Sequence, residues 1–296
     1  MSRNVDRRGL LMAGAGAAWL GPGAFSRASA RAPRKRILYF TKSAGFLHSV
    51  VDRRGEALAH SERILTEVGA AHGFEVVASK DGRLFEPDRI GAWDGFVFYA
   101  SGDLSTPGTD GEPPLSADGE KALLDAVRGG KGFVGIHPGK LAVQEERERG
   151  VDDPLGRMVG GEFISHGPQQ VATVAVADPK FPGFPGGFGR SPSFRLHDEW
   201  YALRGMPEDL HAILVLRTEG MEGPEYRRPD YPITWARKHG DGRVFYTGLG
   251  HREDVWTNPN YQSLLLGALA WSTGLADADL TPNIKQVTPE YAKLPA

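Results

Sequence analysis

Cysteine is absent from the 296 residues. That excludes disulfides, thiol nucleophiles, thiolate metal sites and CxxC redox chemistry together. Excess charge is also lacking: 35 Lys+Arg stand against 37 Asp+Glu, a formal net charge of −2. Arg3, Arg7, Arg8 and Arg27 against Asp6 give the first 30 residues +3, so the remainder stands at −2 − 3 = −5. A mildly acidic body argues against nucleic acid as a partner. Phosphate loops of the GxGxxG or Walker type, internal repeats and a second long apolar run are missing as well.

What is present begins with a leader. Asp6-Arg7-Arg8-Gly9-Leu10-Leu11-Met12 sets a twin arginine before the apolar run Leu10 to Leu20, and Ala28-Ser29-Ala30 forms a small-x-small cleavage site. The pattern predicts a twin-arginine signal peptide over residues 1–30, and hence a periplasmic or secreted protein. The apolar run is about half of the ~20 residues that span a bilayer, so no membrane insertion is expected after cleavage.

The body, residues 31–274, alternates strands and helices. Arg36 to Thr41, Phe74 to Ser79, Asp94 to Ala100 and Gly132 to Ile136 are short apolar runs of the kind buried on both faces of a sheet. Helical periods lie between them, from Glu56 to His72 and after the capping residue Ser116. Further strands are expected at Val171 to Ala177, Phe194 to Tyr201, Ala212 to Arg217, Ile233 to Arg237 and Arg243 to Thr247. A helix opened by Asn258 and Pro259 comes after them. This order gives βαβ units, and so an α/β sandwich with a mostly parallel central sheet. Residues 275–296 carry little apolar pattern and are expected to form a tail.

Open parallel sheets bind ligands at the carboxyl ends of their strands. The residues beyond four such ends are His48, Asp103, His137 and His251. Gly135-x-His137-x-Gly139 has the outline of a nucleophile elbow, but with an imidazole in place of Ser or Cys. Its neighbour Pro138 has no N–H for an oxyanion hole, and a residue before proline is expected to be extended. Acyl-enzyme chemistry is therefore not expected, and His137 is suited to acid–base work, hydrogen bonding or metal ligation. His166 lies in a comparable Gly/Pro loop. His197-Asp198-Glu199-Trp200-Tyr201 joins two carboxylates, able to bind sugar hydroxyls or move protons, to aromatics able to stack on sugar faces, and Trp235 and Trp256 can wall a pocket. For each tryptophan alone, core packing is the simpler reading. His60, His72, His211 and His239 read as structural or surface residues. His48, His137, His166 and His251 form a conceivable set for a divalent metal, though none has local ligand spacing.

The runs ILYFTKSAGFLHS, FVFYASGDL, GFVGIHPG, GGEFISHGP, HDEWY, PITWAR and GRVFYTGLGH, in this order over about residues 35–274, resemble the ThuA-like family, named for trehalose utilisation. The resemblance implies a flavodoxin-like, class I glutamine amidotransferase-like fold, with His137 where the amidotransferase cysteine falls. It also implies a role in carbohydrate metabolism, on disaccharides or their 3-keto derivatives. The family's motif histidines correspond to His48, His137, His166 and His251, and its acidic-aromatic motif to Asp198, Glu199, Trp200 and Tyr201. Pro138 and Tyr231 depart from the family's usual small residue and histidine. The expectation is thus an exported enzyme acting on a glycoside or 3-keto-sugar, with His48, His137 and Glu199 catalytic. Asp103, His166, Asp198, Trp200, Tyr201, Trp235 and His251 would bind substrate. A non-catalytic carbohydrate-binding protein and a metal-dependent hydrolase are the alternatives. No cofactor is assigned and a divalent metal is left open, the expected partner is a small-molecule carbohydrate, and association into a homo-oligomer is left open.

Overall fold

In the computed structural model, residues 34–109, 111–143 and 153–295 are described. The leader expected at 1–30 lies outside the described residues. Among them, nine strands join in one sheet, and its two halves are built differently.

The first half is the expected parallel one. β1 (Lys35–Phe40), β2 (Ser43–Ala44), α1 (His60–Ala71), β3 (Phe74–Ser79), β4 (Gly95–Phe98), β5 (Ser101–Gly102), α2 (Ala117–Arg128) and β6 (Gly132–Ile136) come in turn. β3, β1, β4 and β6 are parallel neighbours. Their core residues are buried: Ile37, Leu38, Tyr39 and Phe40 have no exposed surface. The step from β1 to β3 and the step from β4 to β6 run in opposite directions across the sheet. Right-handed crossovers therefore put α1 and α2 on opposite faces, and the result is a three-layer sandwich. Helix α1 starts at His60, four residues later than its apolar period suggests, where the Glu62 carboxylate accepts from the Ala59 N–H. Ser116 caps α2 as expected, its hydroxyl accepting from the Gly119 N–H.

The second half is antiparallel, which the sequence pattern did not predict. After β7 (Ala142–Val143) and α3 (Pro154–Val159) come β8 (Glu162–His166), β9 (Gln170–Val176), β10 (Ser193–Asp198), β11 (Tyr201–Arg204), β12 (His211–Arg217), β13 (Tyr231–His239) and β14 (Gly242–Thr247). β10, β9, β12, β13 and β14 pair antiparallel in that spatial order, and β14 then joins β6 in parallel. Four of the eight neighbouring pairs are parallel. The remaining strands β11, β8 and β7 form a small separate sheet.

The chain ends with α4 (Glu253–Thr257), α5 (Pro259–Ser272) and α6 (Ile284–Val287). Asn258 caps α5 with Pro259 at its first position, as expected. The segment read as a tail is docked. Ile284 is buried, and the Asn283 side chain bonds both the N–H and the C=O of Ala212 in β12.

Register brings four strand ends level. Phe40 lies opposite Phe98, Phe98 opposite Gly135, and Ile136 opposite Thr247. The loops leaving β1, β4, β6 and β14 thus emerge side by side on one rim.

Candidate functional site

The turn after β6 is tight for steric reasons. A Cβ on Gly135 would meet the Gly139 carbonyl oxygen at 3.0 Å, and one on Gly139 would meet the Ile136 nitrogen at 2.8 Å. The backbone of His137 is left-handed, with φ of 55°. The extended conformation expected before Pro138 is overridden by the turn, a strain of about 1–3 kcal/mol that surrounding bonds must hold. Those bonds are present: the His137 N–H donates to Thr247 O at 2.8 Å, and the Tyr246 hydroxyl donates to His137 O at 2.7 Å. After Gly139 a turn leads into β7, so no helix follows the elbow. The imidazole is not lifted into solvent. It is fully buried, with the Tyr201 ring 4.1 Å away.

Three side chains from distant parts of the chain meet it. His48, from the loop after β2, packs its ring edge-on at 5.2 Å from His137 and 5.3 Å from His251. His251, beyond β14, sets Nδ1 at 3.1 Å from His137 Nε2. Glu199 sets Oε2 at 3.3 Å from both of those nitrogens. The Glu199 position depends on a break in what reads as one strand. β10 ends at Asp198 and β11, in the other sheet, begins at Tyr201, so Glu199-Trp200 turns between sheets. His48, His137, Glu199 and His251 each offer one ligand-type atom, and all four lie within 4.8 Å of one another.

His166, at the end of β8, lies at the mouth. Its side chain is 45% exposed, and Nδ1 stands 3.4 Å from Glu199 Oε1 and 3.0 Å from Gly167 O. Phe46, 68% exposed, touches the His48 ring from the solvent side at 4.8 Å.

The other expected site residues are placed differently. Asp198 is fully buried behind the centre. It accepts from the Gly250 N–H at 2.7 Å and the Arg252 N–H at 3.3 Å, and so holds the loop that carries His251. Tyr201 is buried against His137 and Phe163. Trp200 and Trp235 are fully buried, and their indole N–H groups donate to Gln170 O and Val159 O. Both are core residues with no face open to a ligand, which corrects the expectation that they bind substrate. Trp256 is also buried, donating to Gly250 O at 2.8 Å. Asp103 is exposed, bonds Ser105 within its own loop, and is not part of the cluster of His48, His137, Glu199 and His251. Tyr99, which sequence reasoning missed, borders the centre 5.3 Å from His48, and its buried hydroxyl has no hydrogen-bond partner. The available signal was its position as a polar-tipped aromatic just beyond β4.

Burial dominates the electrostatics. It pushes His48 down to about 2, helped by the neighbouring histidines, and lowers His137 against the opposing pull of Glu199. Burial alone would raise the Glu199 carboxyl, but the facing His137 and His251 rings outweigh it and hold the group well below the usual range. Burial raises Asp198 to about 7 against its backbone donors. A ring that stays neutral, as His48 does, is a poor proton carrier and a good lone-pair donor.

Fold and site together define an α/β sandwich whose elbow carries histidine in a cluster of imidazoles around one carboxylate. The chain belongs to the ThuA family, described as trehalose utilisation, whose model matches residues 36–272. Among solved structures it is similar to a protein described as ThuA-like from Bacteroides uniformis, at 17% identity and a TM-score of 0.62, covering 84% of this chain and 95% of that one. A second, also described as ThuA-like, comes from Parabacteroides merdae, at 17% identity and a TM-score of 0.55, covering 89% and 97%. A cytoplasmic protein from Salmonella typhimurium LT2 matches at 12% identity and a TM-score of 0.51, covering 81% and 98%. At these identities the likeness concerns the fold. No curated protein sequence matches the chain.

Proposed function

We propose that this protein is an exported enzyme of carbohydrate metabolism, acting on a glycoside or 3-keto-sugar at the centre formed by His48, His137, Glu199 and His251. The observation that carries the reading is the convergence of three imidazoles and a carboxylate beyond aligned strand ends, where the elbow offers no Ser or Cys. The family description supports a sugar as substrate, and the leader pattern supports export.

A 3-keto group acidifies the adjacent C–H, so elimination and rehydration can proceed by proton transfers without a covalent enzyme intermediate. His166, exposed at the mouth and backed by Glu199, is placed to pass protons between substrate and solvent. The test is product analysis of wild-type protein and His137→Ala with 3-keto-disaccharides and their parent disaccharides. Turnover lost in His137→Ala is the expected result. Full turnover in that variant, or calorimetric binding of sugar without any product, would replace this reading by the non-catalytic one.

A further inference from the structure

Counting hydrogens at the centre reveals a deficit. His137 Nδ1 faces the Gly248 carbonyl oxygen at 3.1 Å, and a carbonyl only accepts, so the hydrogen of the neutral ring sits on Nδ1. Nε2 then carries a lone pair. It faces Glu199 Oε2, an ionised oxygen with lone pairs only, at 3.3 Å. His251 Nδ1 lies 3.1 Å from the one and 3.3 Å from the other, and a single hydrogen on it serves one of them at a time. His48 adds a further imidazole, and its buried Nδ1 has no hydrogen-bond partner. Lone pairs of His137, His251 and Glu199 thus meet with too few protons to join them, and His48 offers a further ligand-type atom within 4.8 Å.

We propose that His48, His137, Glu199 and His251 bind one divalent first-row transition metal ion. The proposal stands on the side chains alone and does not depend on what the substrate is.

The triangle His137 Nε2, His251 Nδ1, Glu199 Oε2 has edges of 3.1, 3.3 and 3.3 Å. An ion about 2.1 Å from each corner, an ordinary metal–N or metal–O length, sits about 1 Å above that plane and sees the corners about 100° apart. That angle falls between octahedral and tetrahedral values. His48, whose ligand atom is within 4.8 Å of the others, closes a fourth position. Three imidazoles with one carboxylate suit zinc, iron, cobalt or nickel, whereas magnesium and calcium take mostly oxygen.

The surroundings fit as well. Gly248 O fixes the tautomer of His137, as outer partners of ligand histidines do, and His166 faces the far oxygen of Glu199 at 3.4 Å. The left-handed backbone at His137 is a strained device for presenting that ring. An ion here would supply Lewis-acid polarisation of a carbonyl or an activated water.

The test is metal analysis of tag-free protein purified without chelator, then calorimetric titration of chelator-stripped protein with Zn(II) and with Co(II). One ion per chain is expected, with a visible Co(II) absorption band. Affinity should fall by more than about 100-fold in His251→Ala and in Glu199→Gln, beyond the 10–100-fold typical of losing an outer partner. The exposed His197→Ala should bind as wild type does. No stoichiometric ion, or equal binding by His251→Ala, overturns the proposal. Should the variants fail to fold, anomalous scattering from wild-type crystals decides it: a peak among the four side chains supports the site, and a peak elsewhere or none refutes it. Undiminished sugar turnover by metal-free protein would sink the metal's catalytic use while leaving the enzyme reading standing. Metal binding without turnover would do the reverse.

Discussion

Nε2 of His137 and Nδ1 of His251 lie 3.1 Å apart although 114 positions separate them in the chain. Register brings the strands together, but Asp198 sets the final placement of His251, through its bond from the Gly250 N–H at 2.7 Å. Both partners are buried. Asp198→Ala leaves that N–H unsatisfied, at a cost of about 1–3 kcal/mol. Urea unfolding should show this loss, with part of it recovered in Asp198→Asn, which keeps one acceptor oxygen. A variant as stable as wild type would mean that the loop is held by its other bonds, from Trp256 to Gly250 O and from Tyr261 to Leu249 O.

The same loop offers a steric test. Gly250 has φ of 111°, and a Cβ there would lie 2.3 Å from the Tyr261 hydroxyl. Gly274 has φ of 79° with nothing within 4 Å of such an atom. Gly274→Ala therefore reports backbone strain alone, about 1 kcal/mol. Gly250→Ala should cost clearly more, because strain and clash add, and it should also impair whatever His251 does. Equal melting temperatures for the two variants would contradict the steric account.

The parallel half of the sheet was legible because strands buried on both faces read as apolar runs. Phe74 to Ser79 and Gly132 to Ile136 match β3 and β6 to the residue. The antiparallel half was legible as strands but not as pairings, since nothing local in Val171 to Ala177 or Ile233 to Arg237 states its partner. His48, His137 and His251 could be placed on one rim by the rule for strand ends. Glu199 could be picked out as a carboxylate, but its arrival there depends on a break between sheets that HDEWY does not signal. Trp200 and Trp235 illustrate the limit of composition. An indole N–H satisfied by a backbone carbonyl in the core looks, in sequence, the same as one waiting for a ligand.

Away from the site, His211 and Asp178 give a pH dependence of stability. His211 Nε2 meets Asp178 Oδ2 at 3.1 Å while Nδ1 meets Thr281 O at 2.8 Å, so both ring nitrogens donate and the imidazolium is favoured. Burial works against that charge, but the Asp178 and Thr281 bonds outweigh it and raise the His211 pKa. A raised folded-state value stabilises fully below the unfolded value near 6.5 and is lost as pH climbs through the folded one. Wild-type protein should therefore lose stability relative to His211→Gln between about pH 6 and about pH 8. Parallel pH profiles for the two proteins in urea unfolding would rule the pair out as the cause.

Phe46 is left mostly in solvent, at 68% exposure, and it leans on the His48 ring. An exposed aromatic contributes little to folding, so Phe46→Ala should change stability by no more than about 0.5 kcal/mol. Under the proposed function its ring is a platform for the C–H face of a sugar, beside the His48 ring. The variant should then raise KM for a carbohydrate substrate several-fold and leave kcat nearly unchanged, because the interaction is made equally with substrate and transition state. An equal fall in kcat with KM constant would instead place Phe46 in the positioning of His48. No change in either would remove it from the site.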